Sequence, residues 1–403
     1  MKKRNALRSV FFSVLSISVW DIFLQVGVLN STSVRILWVL SIGTFIYSAK
    51  QVLIDRQFED KYFRILFILF FIYQILIVYR GFVYNAHDLL GIFREPHIFW
   101  PFLIPLFAFT DKRLINFAFL FRAMYWVGVI FLAISICFPQ LLLTRSLAQI
   151  YIPTFAFSIA FLLMNSYYFG NTRTTVVFFV ILISLLAFVY LARRSAALTA
   201  LNFLLSSFIL NFFSDSKRLI FKIFPIIILA VFGAYFLRVN TFDLITKKFE
   251  ERLHDDTRSD LFDVFFLEMK NYEVFGKGMN GAYYYPMEET EQDDGVVYGE
   301  VINRNTIENG YLQLFLNGGF INVILFALIL VPAAIQGIFH SSNNFTRACG
   351  VVIFFWMIDM FFFGLPTLSF HYILVWICVG VCYRPSLRKM SNSMIIREIN
   401  FFR

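Results

Sequence analysis

Charge is scarce in this chain: 15% of its 403 residues are Asp, Glu, Lys or Arg, against about 25% in a typical soluble domain. With 59% hydrophobic residues and 54 Phe, it carries more apolar surface than one water-exposed core hides, which excludes an ordinary soluble fold. Cysteine is scarce too. Cys137, Cys349, Cys378 and Cys382 all fall inside apolar runs, so neither a disulfide framework nor a metal site is expected, and no Cys/His cluster has ligand spacing. No small-residue cleavage site follows the apolar run after MKKRNALRSVFF, which points to a retained first span rather than a removed signal. The net charge of +9 is scattered at the ends of apolar runs and gathers on no single face. That pattern fits membrane orientation and argues against a nucleic-acid partner.

A spanning helix needs roughly 20 mostly apolar residues. About twelve runs qualify: Ser9 to Leu29, Val34 to Ile54, Tyr62 to Tyr79, Ile98 to Phe109, Leu114 to Phe138, Ile150 to Phe169, Thr175 to Ala192, Ala196 to Phe213, Leu219 to Leu237, Phe320 to Phe339, Arg347 to Gly364 and Leu368 to Tyr383. The fourth is short and either starts earlier, around Leu89, or is a broken or re-entrant element. The chain is thus expected to be an all-α polytopic membrane protein: residues 1–237 hold spans one to nine, 238–308 a large helical external loop, 309–383 spans ten to twelve, and 384–403 a tail. One set of connections and tails is rich in Lys and Arg, among them Lys2, Lys3, Arg4, Lys50, Lys61, Arg64, Arg173, Arg347 and Arg388. The opposite set holds only Arg35, Arg80, Arg94, Arg145, Arg193 and Arg194. The positive-inside rule then places both termini in the cytoplasm and the large loop outside.

The loop holds most of the carboxylates, including the run EETEQDD from Glu288 to Asp294, which reads as a solvated face. His254 reads likewise as a solvated loop residue. In TRSDLFDVFFLEMKNYEVFGKG, Thr257 and Asp260 form a capping-box pattern, and Leu261, Phe262, Phe265, Phe266 and Met269 recur at helical spacing. Gly276, Gly278 and Gly281 match G-x-G-x-x-G. They follow a helix in an external loop rather than a strand in a βαβ unit, so a close-packed turn is expected and dinucleotide binding is excluded.

Three further features point to chemistry. Arg193 and Arg194 sit at an outer hairpin, where the positive-inside rule makes a pair unusual; Arg suits bidentate recognition of phosphate or diphosphate. Glu308, Asn309, Tyr311, Gln313 and Asn317 stand in a row at the threshold of an apolar helix. Such a row lines a wet cavity or is satisfied by protein contacts, and it also reads as an interfacial helix start capped by Asn305 or Thr306. Asp21 and Asp359 lie inside apolar runs, where an ionisable group is a functional-site candidate. They underlie a competing reading as a proton-coupled transporter or lipid-oligosaccharide flippase, against which stands the lack of any internal repeat. Asp359 is expected to pair with an Arg or a backbone donor.

ARRSAALTA, then TRSDLFDVFFLEMKNYEVFGKGMNG, then IENGYLQLFLNGGFINVILF resemble, in order and spacing from about Tyr190 to Phe339, the superfamily of O-antigen polymerases (Wzy-type) and O-antigen ligases; NAHDLLGIFREPHIFWPFLIPLF adds to the likeness. The resemblance implies a GT-C-type glycosyltransferase of the bacterial inner membrane, acting at the periplasmic face on undecaprenyl-diphosphate-linked glycans without cofactor or metal. It implies Arg193, Arg194 and Arg258 at the substrate diphosphate, with Arg258 and Glu308 as catalytic residues. Asn309, Tyr311 and Gln313 would bind the acceptor or sugar hydroxyls, and a chain-length regulator protein would be a partner. Ligases carry a His where this chain has Glu308 and Asn309, a departure that favours the polymerase branch.

Overall fold

The computed structural model describes residues 6–53, 59–82, 91–110, 114–191, 193–212, 257–286, 301–362, 364 and 366–399. Long apolar runs become helices because hydrocarbon leaves backbone polar groups no partners but one another. In chain order these are α1 (Ala6–Gln25), α2 (Ser31–Val52), α3 (Lys61–Arg80), α4 (Trp100–Phe109), α5 (Leu114–Cys137), α6 (Arg145–Met164), α7 (Asn171–Tyr190) and α8 (Arg194–Phe212). After α9 (Thr257–Met269) come the strands β1 (Tyr283–Pro286) and β2 (Val301–Arg304), then α10 (Gly310–Phe339), α11 (Asn344–Asp359), α12 (Phe370–Cys382) and α13 (Asn392–Ile399).

Among the described residues, seven helices (α1, α2, α3, α5, α6, α7 and α10) are long and apolar enough to cross a membrane, while α4, residues 195–210 of α8 and α12 are shorter apolar helices. Each predicted run coincides with a helix except Leu219 to Leu237, which lies outside the described residues, as do His254 and the 288–294 run. α4 is short as expected: it starts as an α-turn with Pro101 and tightens into a 3-10 stretch at Ile104–Phe109. The described residues are mostly helical, as an all-α polytopic membrane protein requires, and the large loop adds one short strand pair to its helix. β1 and β2 pair antiparallel with Tyr283 opposite Arg304.

α12 is the central post, buried along its whole length and packed against α4, α10 and α11. Trp376 on α12 meets Phe70 of α3, Phe326 of α10 and Tyr372. Lipid tails are as apolar as Leu, so close packing and polar pairs must hold such helices together. Gly337 of α10 and Gly350 of α11 touch so closely that a Cβ on the first would lie 2.6 Å from the Cα of the second. Gln74 Nε2 on α3 donates to Asn322 Oδ1 on α10 at 2.8 Å. Exposed Ile36, Val39, Leu40, Ile65, Leu69 and Ile72 form the outward faces of α2 and α3.

One end of the bundle carries α9, the β-pair, the start of α10, the end of α11 and the start of α12; it is called the loop end below. The opposite end gathers the start of α11 and the tail, where Asn343 donates to the carbonyls of Leu387 and Met390.

Candidate functional site

α10 is a helix with a cut in it. Gly319 has φ 61 and ψ −165, a region open essentially to glycine alone, and a Cβ there would strike the backbone of Val274. The cut frees backbone groups in both directions, and the segment after α9 pairs with them. Lys277 and Gly278 N–H donate to the carbonyls of Leu316 (2.7 Å) and Asn317 (2.9 Å), while Phe320 and Ile321 N–H donate to those of Glu273 (2.8 Å) and Val274 (3.4 Å). Gly276, at φ 67, lets the turn approach: a Cβ would come 2.5 Å from the Asn317 carbonyl carbon. The glycine fingerprint is therefore a docking turn, as its place after a helix predicts.

The polar row fastens that turn. Asn317, buried, donates from Nδ2 to the carbonyls of Gly278 and Met279, each at 3.0 Å. Gln313 Nε2 donates to Asn317 Oδ1 (2.9 Å) and to the Asn305 carbonyl (3.2 Å), and its Oε1 accepts from Ile307 N–H (2.9 Å). The helix cap is Asn309, rather than Asn305 or Thr306. Its Oδ1 accepts from the Tyr311 and Leu312 amides, and its Nδ2 donates to the Phe361 carbonyl at 2.9 Å. Tyr311 donates its hydroxyl proton to the Met357 carbonyl at 2.8 Å. The hydrogen bonds that Asn309, Tyr311 and Gln313 make run into the fold and position the α10 entry. Glu308 is exposed at that entry.

The turn is also bolted to α3, since Arg80 donates to the carbonyls of Phe275 and Gly276 and Asn280 donates to that of Gly81 (2.8 Å). α9 buries Phe265 and Met269 against Tyr283, Ile307, Phe315 and Leu316, but Phe266 is exposed, so only part of the predicted apolar face is covered.

His97 is a site residue that pattern reading passed over, although it stands in the quoted REPHIFW stretch. It lies beside the Asn305 side chain and shares a water-sized space with Gln74, Gln313 and Asn317. Burial holds its pKa below the ordinary histidine value, with the Glu95 carboxylate and Asn305 pulling the other way. The imidazole is therefore neutral at pH 7, and its 4.0 Å approach to Glu95 is not an ion pair there.

Arg193 lies half-buried between α7 and α8, Arg194 opens α8, and Arg258 is the second residue of α9. At the loop end of α8 lies a cavity of about 220 Å³, walled by α1, α6, α8, α11 and α12. Its polar lining includes Ser18, Thr154, Thr199, Asp359 and His371. α6 changes to a π-helix at Pro153–Phe157, beside the cavity, a distortion that often marks functional sites. Asp359 is paired with a neutral side chain where an Arg or a backbone donor was expected: Asn202 Nδ2, brought by α8 to the end of α11, donates to its Oδ1 at 2.8 Å. Thr199, one turn earlier on α8, stands beside the carboxyl and donates its own hydroxyl to the Ser195 carbonyl at 3.2 Å. Among the described residues, no three His, Cys, Asp or Glu side chains gather as metal ligands.

A bundle of apolar helices, with its hydrophilic segment latched into a cut helix beside a polar cavity, defines a multi-pass membrane protein with a site at one end. Residues 158–327 match the family described as O-antigen ligase, and this match supports a place in the O-antigen ligase and polymerase superfamily. The match supports a role in O-antigen or surface-polysaccharide assembly. No curated protein and no solved structure matches the chain.

Proposed function

We propose that the protein is an O-antigen, or surface-polysaccharide, polymerase of the bacterial inner membrane, joining undecaprenyl-diphosphate-linked repeat units at the periplasmic face. The observation that carries the reading is the family match, because its residues 158–327 contain Arg193, Arg194, Arg258 and Glu308 together. Glu308 in place of the ligase histidine favours the polymerase branch. The loop end faces the periplasm in this reading and both termini face the cytoplasm, in keeping with the Lys and Arg partition.

In the reaction, an acceptor sugar hydroxyl attacks the anomeric carbon of the donor. The new C–O bond forms as the bond to diphosphate breaks, the electron pair leaves with undecaprenyl diphosphate, and the configuration inverts. Arg193, Arg194 and Arg258 offset the charge growing on the leaving diphosphate, an effect worth about 3–4 kcal/mol for a well-placed donor. Glu308 takes the hydroxyl proton, a role within reach of a carboxylate. A separate chain-length regulator sets product length.

Deletion and complementation test the reading through the lipopolysaccharide ladder. Deletion is expected to leave cores bearing a single repeat, the wild-type gene to restore the ladder, and Arg194→Ala, Arg258→Ala and Glu308→Ala each to fail. The family description favours a second reading, the ligase; bare core with accumulating lipid-linked polymer would establish it. Single repeats trapped on the cytoplasmic side would establish a flippase instead.

A further inference from the structure

We propose that the 220 Å³ cavity between α1, α6, α8, α11 and α12 is a subsite for one sugar ring, the ring joined directly to the lipid diphosphate. The proposal rests on the polyprenyl-diphosphate reading above and adds where the first sugar sits. Three observations converge on it.

The first is size. Pockets that enclose drug-sized ligands run to about 300–1,000 Å³, so this one suits a single ring rather than a whole repeat. The second is chemistry. Sugar hydroxyls both donate and accept, and the lining offers a carboxylate (Asp359), an imidazole (His371) and hydroxyls (Ser18, Thr199). Trp356, stacked on Tyr372 at 5.2 Å, adds an aromatic wall of the kind that packs against a ring's C–H face. A hydrocarbon tail could make no hydrogen bond to any of these groups, and an ionisable side chain in a membrane span is a functional-site candidate by default. Asn202 holds the Asp359 carboxyl in place, so it is fixed before any ligand arrives.

The third is position. Thr199 follows Arg194 by five residues, a rise of about 7.5 Å along α8, so the cavity lies within about one and a half turns of the hairpin that carries the diphosphate in the proposed function. The cavity also straddles the family match: Thr199 and Ser158 lie inside residues 158–327, whereas Ser18, Asp359 and His371 lie outside. Choice among sugars is thus assigned to side chains beyond the shared segment.

The test uses purified full-length protein in nanodiscs and two probes, the lipid-linked single repeat extracted from a strain lacking the protein, and bare undecaprenyl diphosphate. Wild type is expected to bind the sugar-bearing lipid at least about tenfold more tightly, the effect of one or two hydrogen bonds. Ser18→Phe fills the cavity from α1 and Asp359→Asn replaces the carboxyl by an amide while keeping an acceptor for Asn202. Each is expected to cut the preference to about twofold or less without changing affinity for the bare lipid. Monodisperse variants that keep the wild-type preference overturn the subsite, and Asp359→Asn decides alone if Ser18→Phe does not fold. Wild type binding both lipids equally overturns the subsite and leaves the proposed function standing. Wild type binding neither overturns both.

Discussion

Gly319→Ala tests whether the cut in α10 is what seats the hydrophilic segment on the bundle. At φ 61 and ψ −165 an alanine is strained by about 1–3 kcal/mol, and its Cβ collides with the Val274 backbone. Because the collision is with main chain, no side-chain rotamer relieves it, and the 273–274 strip must back away. That movement breaks the 2.8 Å bond from Phe320 N–H to Glu273 and the longer one from Ile321 to Val274, together worth about 1 kcal/mol. The sum is about 2–4 kcal/mol, or roughly 4–8 °C at about 2 °C per kcal/mol for a large chain. Gly43→Ala is the control, since a Cβ there meets nothing within 4 Å and alanine gains up to about 1 kcal/mol in a helix interior. The assay is thermal unfolding in detergent, read beside the rate of proteolysis within residues 270–286. Gly319→Ala is expected to melt lower and be cleaved faster there, and Gly43→Ala to match wild type or exceed it. Equal melting and equal cleavage for the two variants would refute the latch.

Further outcomes follow from the same contacts. The fold lowers the His97 pKa, so it favours neutral imidazole: the stability this contributes is full above the unfolded value of about 6.5 and is lost as pH falls through the lowered folded value. Melting temperature should therefore drop from pH 7.5 to pH 5, and His97→Gln should flatten that slope. Gln74→Leu strands Asn322 in the bundle, and a double-mutant cycle with Asn322→Leu is expected to give a coupling of about 0.6–1.7 kcal/mol; zero coupling would show the pair to be idle. Asn309→Ala removes the α10 cap and is expected to cost about 1–2 kcal/mol, whereas Asn309→Ser keeps a capping oxygen and sets no acceptor against the Phe361 carbonyl, so it should retain most of the stability and the polysaccharide ladder. Loss of the ladder in Asn309→Ser at near wild-type stability would point to a contact between Asn309 and the substrate.

The sequence alone determined that this is a membrane protein of many helices, because apolar runs of about 20 residues with so little charge have no other stable solution. It also determined that Gly276 and Gly278 belong to a close turn, and that the row from Glu308 to Asn317 must be satisfied somehow. It did not determine by what. Gln313 and Asn317 find their partners at Asn305, Ile307, Gly278 and Met279, which the chain reaches only after the helix has been cut and the loop folded back. Asp359 was legible as a candidate from its apolar neighbours. Its partner Asn202 comes from α8, and the cavity that Asp359 shares with His371 is walled by five helices scattered through the chain. Local pattern reports which groups need partners, because that cost is set by the residue and its solvent. Which partners they receive is decided by helix packing, since close contacts such as Gly337 on Gly350 fix positions that no single segment specifies.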